Sequence, residues 1–416
     1  MKKYLTPFNA ISILLSLFTL FAVHSCNNSS SEDKLKAYVS EQNPLDIPVL
    51  LERKGELANA AEWGKTKEKV AELRAKIAAK PNDAKLRLQM ATIFIAEQRI
   101  TGEHHFYYTA IQKILDGVLM IDPKNFEATV YKASVKMSLH QFAEAKQLAE
   151  AAKVINPDNA YVYGILVDAN VELGNYTEAV AMSDKMQAIK PSLEAYSRAS
   201  YLREIYGDYN GAIAAMKLAV QAGLPGSEPQ CWSRNILAEL YMNTKQFDEA
   251  EKTYQENLSL RPSYAPSMAG LAKIETERKN YAKAIALLDS ANMIMADLSF
   301  ETAIADNYSK MGDAQKAKDK YESVRKALEY DASTGHSVSL DLAKLFIKTN
   351  QWDSAKTYAM TEYKIRPNNI DVNKELAWIA YNQNDKPDAA QYLKTAMSTN
   401  SKNPELIQRA ALINKN

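Results

Sequence analysis

The chain has 416 residues, of which 46% are hydrophobic and 24% charged, the balance of a folded chain and not of a disordered one. Lys and Arg number 51 against 50 Asp and Glu, so no long-range field draws in nucleic acid, and no nucleic-acid partner is expected. Only two cysteines, Cys26 and Cys231, and five histidines occur, which excludes a disulfide framework and gives no reason to expect a metal or any other cofactor. The length exceeds what one ordinary core fills, which points to several domains or to repeats.

Lys2 and Lys3 open the sequence, and an apolar run from Ile11 to Val23 follows, too short to span a bilayer. The run ends in Val23-His24-Ser25-Cys26. This resembles the lipobox of bacterial lipoproteins, with Ser25 at the small position before the cut, while Val23 and His24 depart from the commoner residues. The resemblance implies a signal peptide over 1–25 and a lipid on Cys26. Asn27 to Asp33 reads N-N-S-S-S-E-D, a polar tether, and residues 26–46 are assigned to it. Glu32 and Asp33 fit either an export signal of surface lipoproteins or a plain linker. Acyl chains anchor a protein without help from the rest of the chain, so contact with the membrane is expected through the lipid alone.

Residues 47–80 read as two capping helices with Trp63 near their junction. Beyond them the sequence repeats. An aromatic followed three residues later by alanine occurs as Phe142/Ala145, Tyr176/Ala179, Tyr209/Ala212, Phe247/Ala250, Tyr281/Ala284 and Trp352/Ala355. Ala317 and Ala389 continue the series without the aromatic. Successive alanines are 34, 33, 38, 34, 33, 38 and 34 residues apart. Twelve residues before each stands a small or compact partner: Ala133, Val167, Ser200, Ala238, Ala272, Ala305, Ala343 and Ala377. Such spacing describes two helices of about a dozen residues that approach closely where both side chains are small. Gly174-Asn175, Gly207-Asp208 and Gly312-Asp313 read as the turns inside pairs. Pro123, Pro157, Pro191, Pro262 and Pro367 stop second helices. The two steps of 38 mark insertions, at Gly223–Ser227 and at about Tyr330 to Gly335, both expected as loops. A degenerate first copy has Ala91 in one helix, a second helix starting near Phe106, and about eight extra residues.

The pattern is similar to the tetratricopeptide repeat, most clearly through Leu237-Ala238, Tyr241, Ala250, Tyr254 and Pro262. The resemblance implies an all-α, right-handed superhelical solenoid of about nine helix pairs over 81–416, ending in a capping helix from Glu405.

Several residues invite a chemical reading. His104-His105 lacks the converging ligands of a metal site, and a polar turn before a helix is the simpler reading. Gly223-Leu224-Pro225-Gly226 lacks the ending of a phosphate loop. Cys231 has no histidine base near it in sequence and reads as a small packing residue. Arg203 stands where the repeat usually buries an aromatic, so a buried ion pair with Glu204 or Glu239 is expected, with a ligand-facing arginine as the alternative. Gly164 and Asp168 replace the Lys and Asn with which some members of the family clamp acidic chaperone tails, so that ligand is not expected.

The resemblance also implies which positions face the concave side. In the third to fifth copies, counting the degenerate one as the first, these are Tyr161 and Asp168, Glu194 and Tyr201, and Trp232, Asn235 and Glu239. They are the candidate partner-binding residues, with the alternative that Tyr201 and Trp232 cover the insertion at Gly223–Ser227. No span is left for a catalytic domain and no enzyme activity is expected. The function expected is a membrane-tethered scaffold or adaptor that binds a protein or peptide in the bacterial cell envelope, lipid-anchored at the outer membrane. The alternative is an accessory subunit of an envelope enzyme or transporter complex.

Overall fold

The computed structural model describes residues 46–415, so Cys26 lies outside the described residues. The described residues hold twenty α-helices, one 3₁₀ turn at Gly55–Asn59 and no strand. After α1 (Ala61–Ala79) the helices come in pairs. The first four are α2 (Ala84–Thr101) with α3 (His104–Ile121), α4 (Phe126–Ser138) with α5 (Phe142–Ile155), α6 (Ala160–Glu172) with α7 (Tyr176–Ile189), and α8 (Leu193–Ile205) with α9 (Tyr209–Ala222). Then follow α10 (Glu228–Asn243) with α11 (Phe247–Leu260), α12 (Ala265–Glu277) with α13 (Tyr281–Ile294), and α14 (Leu298–Met311) with α15 (Ala314–Ser333). Last come α16 (Ser339–Lys348) with α17 (Trp352–Ile365), α18 (Ile370–Asn382) with α19 (Lys386–Ala396), and a closing α20 (Pro404–Ile413). Each helix packs on the next, so the nine pairs form a solenoid.

Local chemistry starts and stops these helices. Asp83, Asn125, Ser192, Asn369 and Asn403 accept a first-turn amide from their own helix, satisfying a donor that the helix leaves open. Every turn inside a pair contains one left-handed residue: Gly102, His140, Gly174, Gly207, Lys245, Lys279, Gly312, Asn350 and Asn384. From the second pair on, the following amide reaches back to the carbonyl five residues earlier, as in Asn175 to Asn170 (2.7 Å) and Gln246 to Tyr241 (2.8 Å). This is the six-to-one closure that lets a chain reverse within two residues.

The small-residue ladder forms the crossing inside each pair. Ala145, Ala179, Ala212, Ala250 and Ala284 are fully buried, as are Ala133, Val167, Ala238, Ala305 and Ala343. Ser200 holds its place in the ladder by giving its hydroxyl to the carbonyl of Ala212 at 2.7 Å. Large side chains fill either side, with Phe94, Leu166, Tyr254 and Ile304 at zero exposure. The crossing between one pair and the next uses the same device at Gly270 of α12, where a Cβ would overlap the ring of Tyr254 from α11.

Three expectations need correction. The second insertion is no loop, because Tyr330 to Ser333 simply lengthen α15 to 20 residues. The extra residues of the first pair likewise extend α2 and α3 to 18 residues each, with only Gly102 and Glu103 between them. The cap before the pairs has one α-helix and a 3₁₀ turn, not two α-helices. Its Trp63 is buried under the guanidinium of Arg53, which makes a buried two-pronged bond to Glu97 of α2 at 2.7 and 2.8 Å.

The solenoid also meets itself. The turn inside the third pair sits on the junction between the eighth and ninth: Arg366 reaches Glu172 at 2.6 Å, Asn369 gives its amide to the Glu172 carbonyl at 2.9 Å, and the Ile370 amide reaches the Tyr176 hydroxyl at 2.8 Å. The turn inside the second pair sits on the junction between seventh and eighth, where the Ser337 amide bonds the Leu139 carbonyl at 3.0 Å. Gly102 abuts Met295 and Ala296, and Gly207 abuts Asn400 and Lys402. Partners therefore recur every five and a half pairs, along a seam between successive turns of the spiral.

Gly270→Ala tests the inter-pair crossing. Alanine is the better helix former by about 1 kcal/mol, but overpacking against Tyr254 is expected to cost about 1–3 kcal/mol, so the melting temperature should fall. Gly64→Ala in α1, where nothing lies within 4 Å of the new Cβ, should raise it. Calorimetry that finds no loss for Gly270→Ala would misplace the Tyr254 ring.

Candidate binding site

The first helices of successive pairs are joined side by side through polar rungs. Arg198 of α8 lies across Gly164 of α6, donating to its carbonyl at 3.0 Å and gripping Asp168 at 3.0 and 2.6 Å. Lys273 of α12 holds both oxygens of Glu239 of α10 at 2.7 and 2.8 Å. Lys348 of α16 holds Asp306 of α14 at 2.8 Å, and Arg409 of α20 holds Glu375 of α18 at 2.6 Å. Second helices join in: Tyr254 gives its hydroxyl to Glu239 at 2.8 Å and Tyr321 gives its own to Asp306 at 2.6 Å. Partly exposed pairs of this kind contribute up to about 1 kcal/mol each. Their geometric effect is larger, since each fixes the register of one repeat on the next.

The candidate residues fall into two groups. Asp168, Asn235, Glu239 and Tyr161 are occupied: Asn235 accepts from Ser267 at 3.2 Å, and Tyr161 gives its hydroxyl to Ser134 at 3.1 Å. Glu194 is exposed, and its carbonyl accepts from Arg198 at 3.2 Å. Trp232 and Tyr201 are 44% and 40% exposed. The structure brings Asp168 and Glu194 together around Arg198. Arg203 corrects an expectation: its side chain is half exposed and pairs with Asp208 at 2.8 Å, because α8 turns that position outward. Glu204 takes an amide from Asn243 at 3.0 Å instead. Cys231 is buried, and its thiol is pushed up by that burial.

Arg198 and Lys273 did not stand out in the sequence. A signal existed, since Lys273 follows Glu239 by 34 residues, and Arg409 follows Glu375 by the same step. Opposite charges one repeat period apart mark rungs.

A cavity of about 120 Å³ opens at the seam between Tyr176, Tyr201, Glu204 and Tyr209 of the third and fourth pairs on one side and Ile370 and Asp371 of α18 on the other. Glu172 also lines it. Solvent reaches the Tyr201 ring, yet its hydroxyl is held well above the ordinary range, first by the protein enclosing it and then by Glu172, Asp371 and Glu204. Burial likewise raises the Glu204 carboxyl, and Glu239 and Asp371 add to the rise.

All four histidines among the described residues stand at the seam. His104 hydrogen-bonds Gln98, and His105 pairs with Asp331 and meets Thr334 at 3.2 Å. His140 donates from Nδ1 to the Ser337 carbonyl (3.0 Å), and its ring lies 4.6 Å from that of His336. No group of three or more metal-ligating side chains forms among the described residues.

Residues 237–292 match the model described as tetratricopeptide repeat. Those residues are tetratricopeptide repeats. The other pairs of the solenoid repeat their geometry, with the same crossing and the same left-handed turn. No curated protein sequence matches the chain. Among solved structures, a Cut9–Hcn1 hetero-tetramer of APC/C is 13% identical over 80% of this chain and 56% of its own, with a TM-score of 0.43. TTC0263, a thermophilic tetratricopeptide protein of Thermus thermophilus, is 19% identical over 49% of this chain and 99% of its own, at 0.40. A human IFIT1 dimer with PPP-AAAA is 15% identical over 77% and 73%, at 0.49.

The seam has a pH dependence with a definite sign. His336 buries a ring nitrogen with no partner, and burial, then the nearby His140, push its pKa from 6.5 down to about 4. Burial lowers His104 in the same direction. The folded state therefore binds fewer protons than the unfolded one, and the stability present above pH 6.5 is lost as the pH falls toward 4. Thermal melts across that range should show a falling melting temperature, and His336→Gln should flatten the slope. An unchanged slope in the variant would remove His336 from the effect.

Proposed function

We propose that this chain is a lipid-anchored scaffold or adaptor of the bacterial cell envelope, held at the outer membrane through Cys26, which binds a protein or peptide partner on the first helices of its third to fifth pairs. The observation that carries the binding surface is the contrast on that face. Asp168, Asn235 and Glu239 are tied to neighbouring repeats, whereas the large rings of Trp232 and Tyr201 stand 44% and 40% open on adjacent first helices. Exposed aromatics on a rigid surface are the groups that most often dominate binding between proteins. The tied acids supply that rigidity. Among the described residues no helix is long and apolar enough to cross a membrane, so within them nothing competes with a lipid as the anchor.

The anchor and the surface are tested separately. Metabolic labelling with a fatty-acid analogue should mark the wild type and not Cys26→Ala; equal labelling removes the anchor from the proposal. A partner captured from detergent-solubilised envelope should bind Trp232→Ala and Tyr201→Ala more weakly by about 2 kcal/mol each, with far-ultraviolet dichroism unchanged. Full affinity in both variants would move the surface elsewhere.

A further inference from the structure

The seam cavity differs from the rest of the first-helix face in how its charges are answered. Of its three acids, Glu172 is held by Arg366 at 2.6 Å and Asp371 by Lys374 at 3.2 Å. Glu204 has only the neutral amide of Asn243 and, among the described residues, no cation. Lys374 does not fill the gap, because Asp371, Glu375 and Glu405 surround its ammonium at 3.2 to 3.5 Å. Three tyrosines line the same space. Tyr201 has no hydrogen-bond partner among the described residues, and the Tyr209 oxygen is buried without one. An uncompensated carboxylate is costly where protein encloses it. Aromatic rings beside it attract cations through the negative potential of their faces, an attraction that strengthens as water is excluded. A volume of about 120 Å³ is several times what one water needs, so a small organic group can enter.

We propose that this cavity is a binding site for an alkylammonium group, with Glu204 as the counter-ion and Tyr176, Tyr201 and Tyr209 as the apolar and aromatic walls. The group is the side chain of a lysine carried by the partner, an assignment of source that rests on the scaffold function proposed above; the cavity's preference for the cation does not rest on it. An alkylammonium fits better than a bare metal ion. Val171, Ile205 and Ile370 join the tyrosine rings in the lining and suit an alkyl stem, and no group of three metal-ligating side chains is present among the described residues. It fits better than an anion, because every cation at the wall is already claimed. The two walls belong to pairs three and four and to the ninth pair with the closing helix α20, so the site exists only where the spiral closes.

The test is calorimetric titration of the full chain at pH 8 with butylammonium and with the neutral butanol, then with a short peptide bearing one lysine and with the same peptide acetylated at the lysine amine. Butylammonium should bind saturably, at least about tenfold better than butanol, as expected for a charge-assisted bond. Glu204→Gln should abolish that preference, and Tyr201→Leu should weaken butylammonium about threefold or more, both with unchanged dichroism. The lysine peptide should bind and its acetylated form should not. Equal binding of butanol and butylammonium, or an undiminished preference in Glu204→Gln, overturns the cation site. Because Tyr201 is exposed and tolerant of change, loss of fold in the Glu204 variant leaves Tyr201→Leu to decide, and full affinity there overturns the site as well. Butylammonium binding without lysine-peptide binding overturns the lysine source. Failure to capture any partner with butylammonium binding intact overturns the scaffold function and leaves the site standing.

Discussion

Everything in this molecule depends on how closely two helices approach at one level of each pair. At Ala145 and Ala133, and at each later crossing, the side chains are so small that backbones set the distance. Large residues above and below then have one way to interdigitate. With the crossing fixed and the turn closed by one left-handed residue, each pair is a nearly rigid unit. Stacked units add the same rotation each time, and rotation repeated accurately brings the chain back over itself.

That return distinguishes this solenoid from one whose repeats touch only their neighbours. The seam's contacts are polar and specific: a buried arginine on an acid, backbone amides on a carbonyl and a hydroxyl, and glycines that admit the backbone of the next turn. Arg366, nearly fully buried, bridges Glu362 of its own helix and Glu172 of a pair almost two hundred residues away, and it stacks on the Phe142 ring at 4.8 Å. A residue in that position joins repeats that the sequence keeps far apart, and it does so beside the cavity.

The repeat itself was legible because its signals are local and periodic. Alanines every 33 to 38 residues, partners twelve before, and prolines two places after five of the second helices all lie within one period. What was illegible has the opposite character. The left-handed turns at His140, Lys245 and Lys279 carry no glycine, since a lone residue can bear that conformation when the helices on both sides are fixed. The helical insertion at Tyr330 to Ser333 contains no breaker that would have distinguished it from a longer helix. The seam arises from rotation summed over five and a half pairs, and no single pair encodes it. Of the candidate residues, Asp168 and Glu239 could be placed on the first helices, but their engagement with Arg198 and Lys273 depends on the neighbouring repeat. The wall contributed by Asp371 comes from the ninth pair and has no periodic sign.

The seam also changes what kind of elastic body the chain is. An open solenoid yields to tension gradually, because each small change of rotation costs little. Here the coils are latched to one another by Arg366, Asn369 and the Leu139–Ser337 bond, so the first extension requires those latches to part. Below that load the spiral is stiff, and above it the freed coils lengthen with little further resistance. The force response is therefore a threshold followed by compliance, set by a few polar contacts.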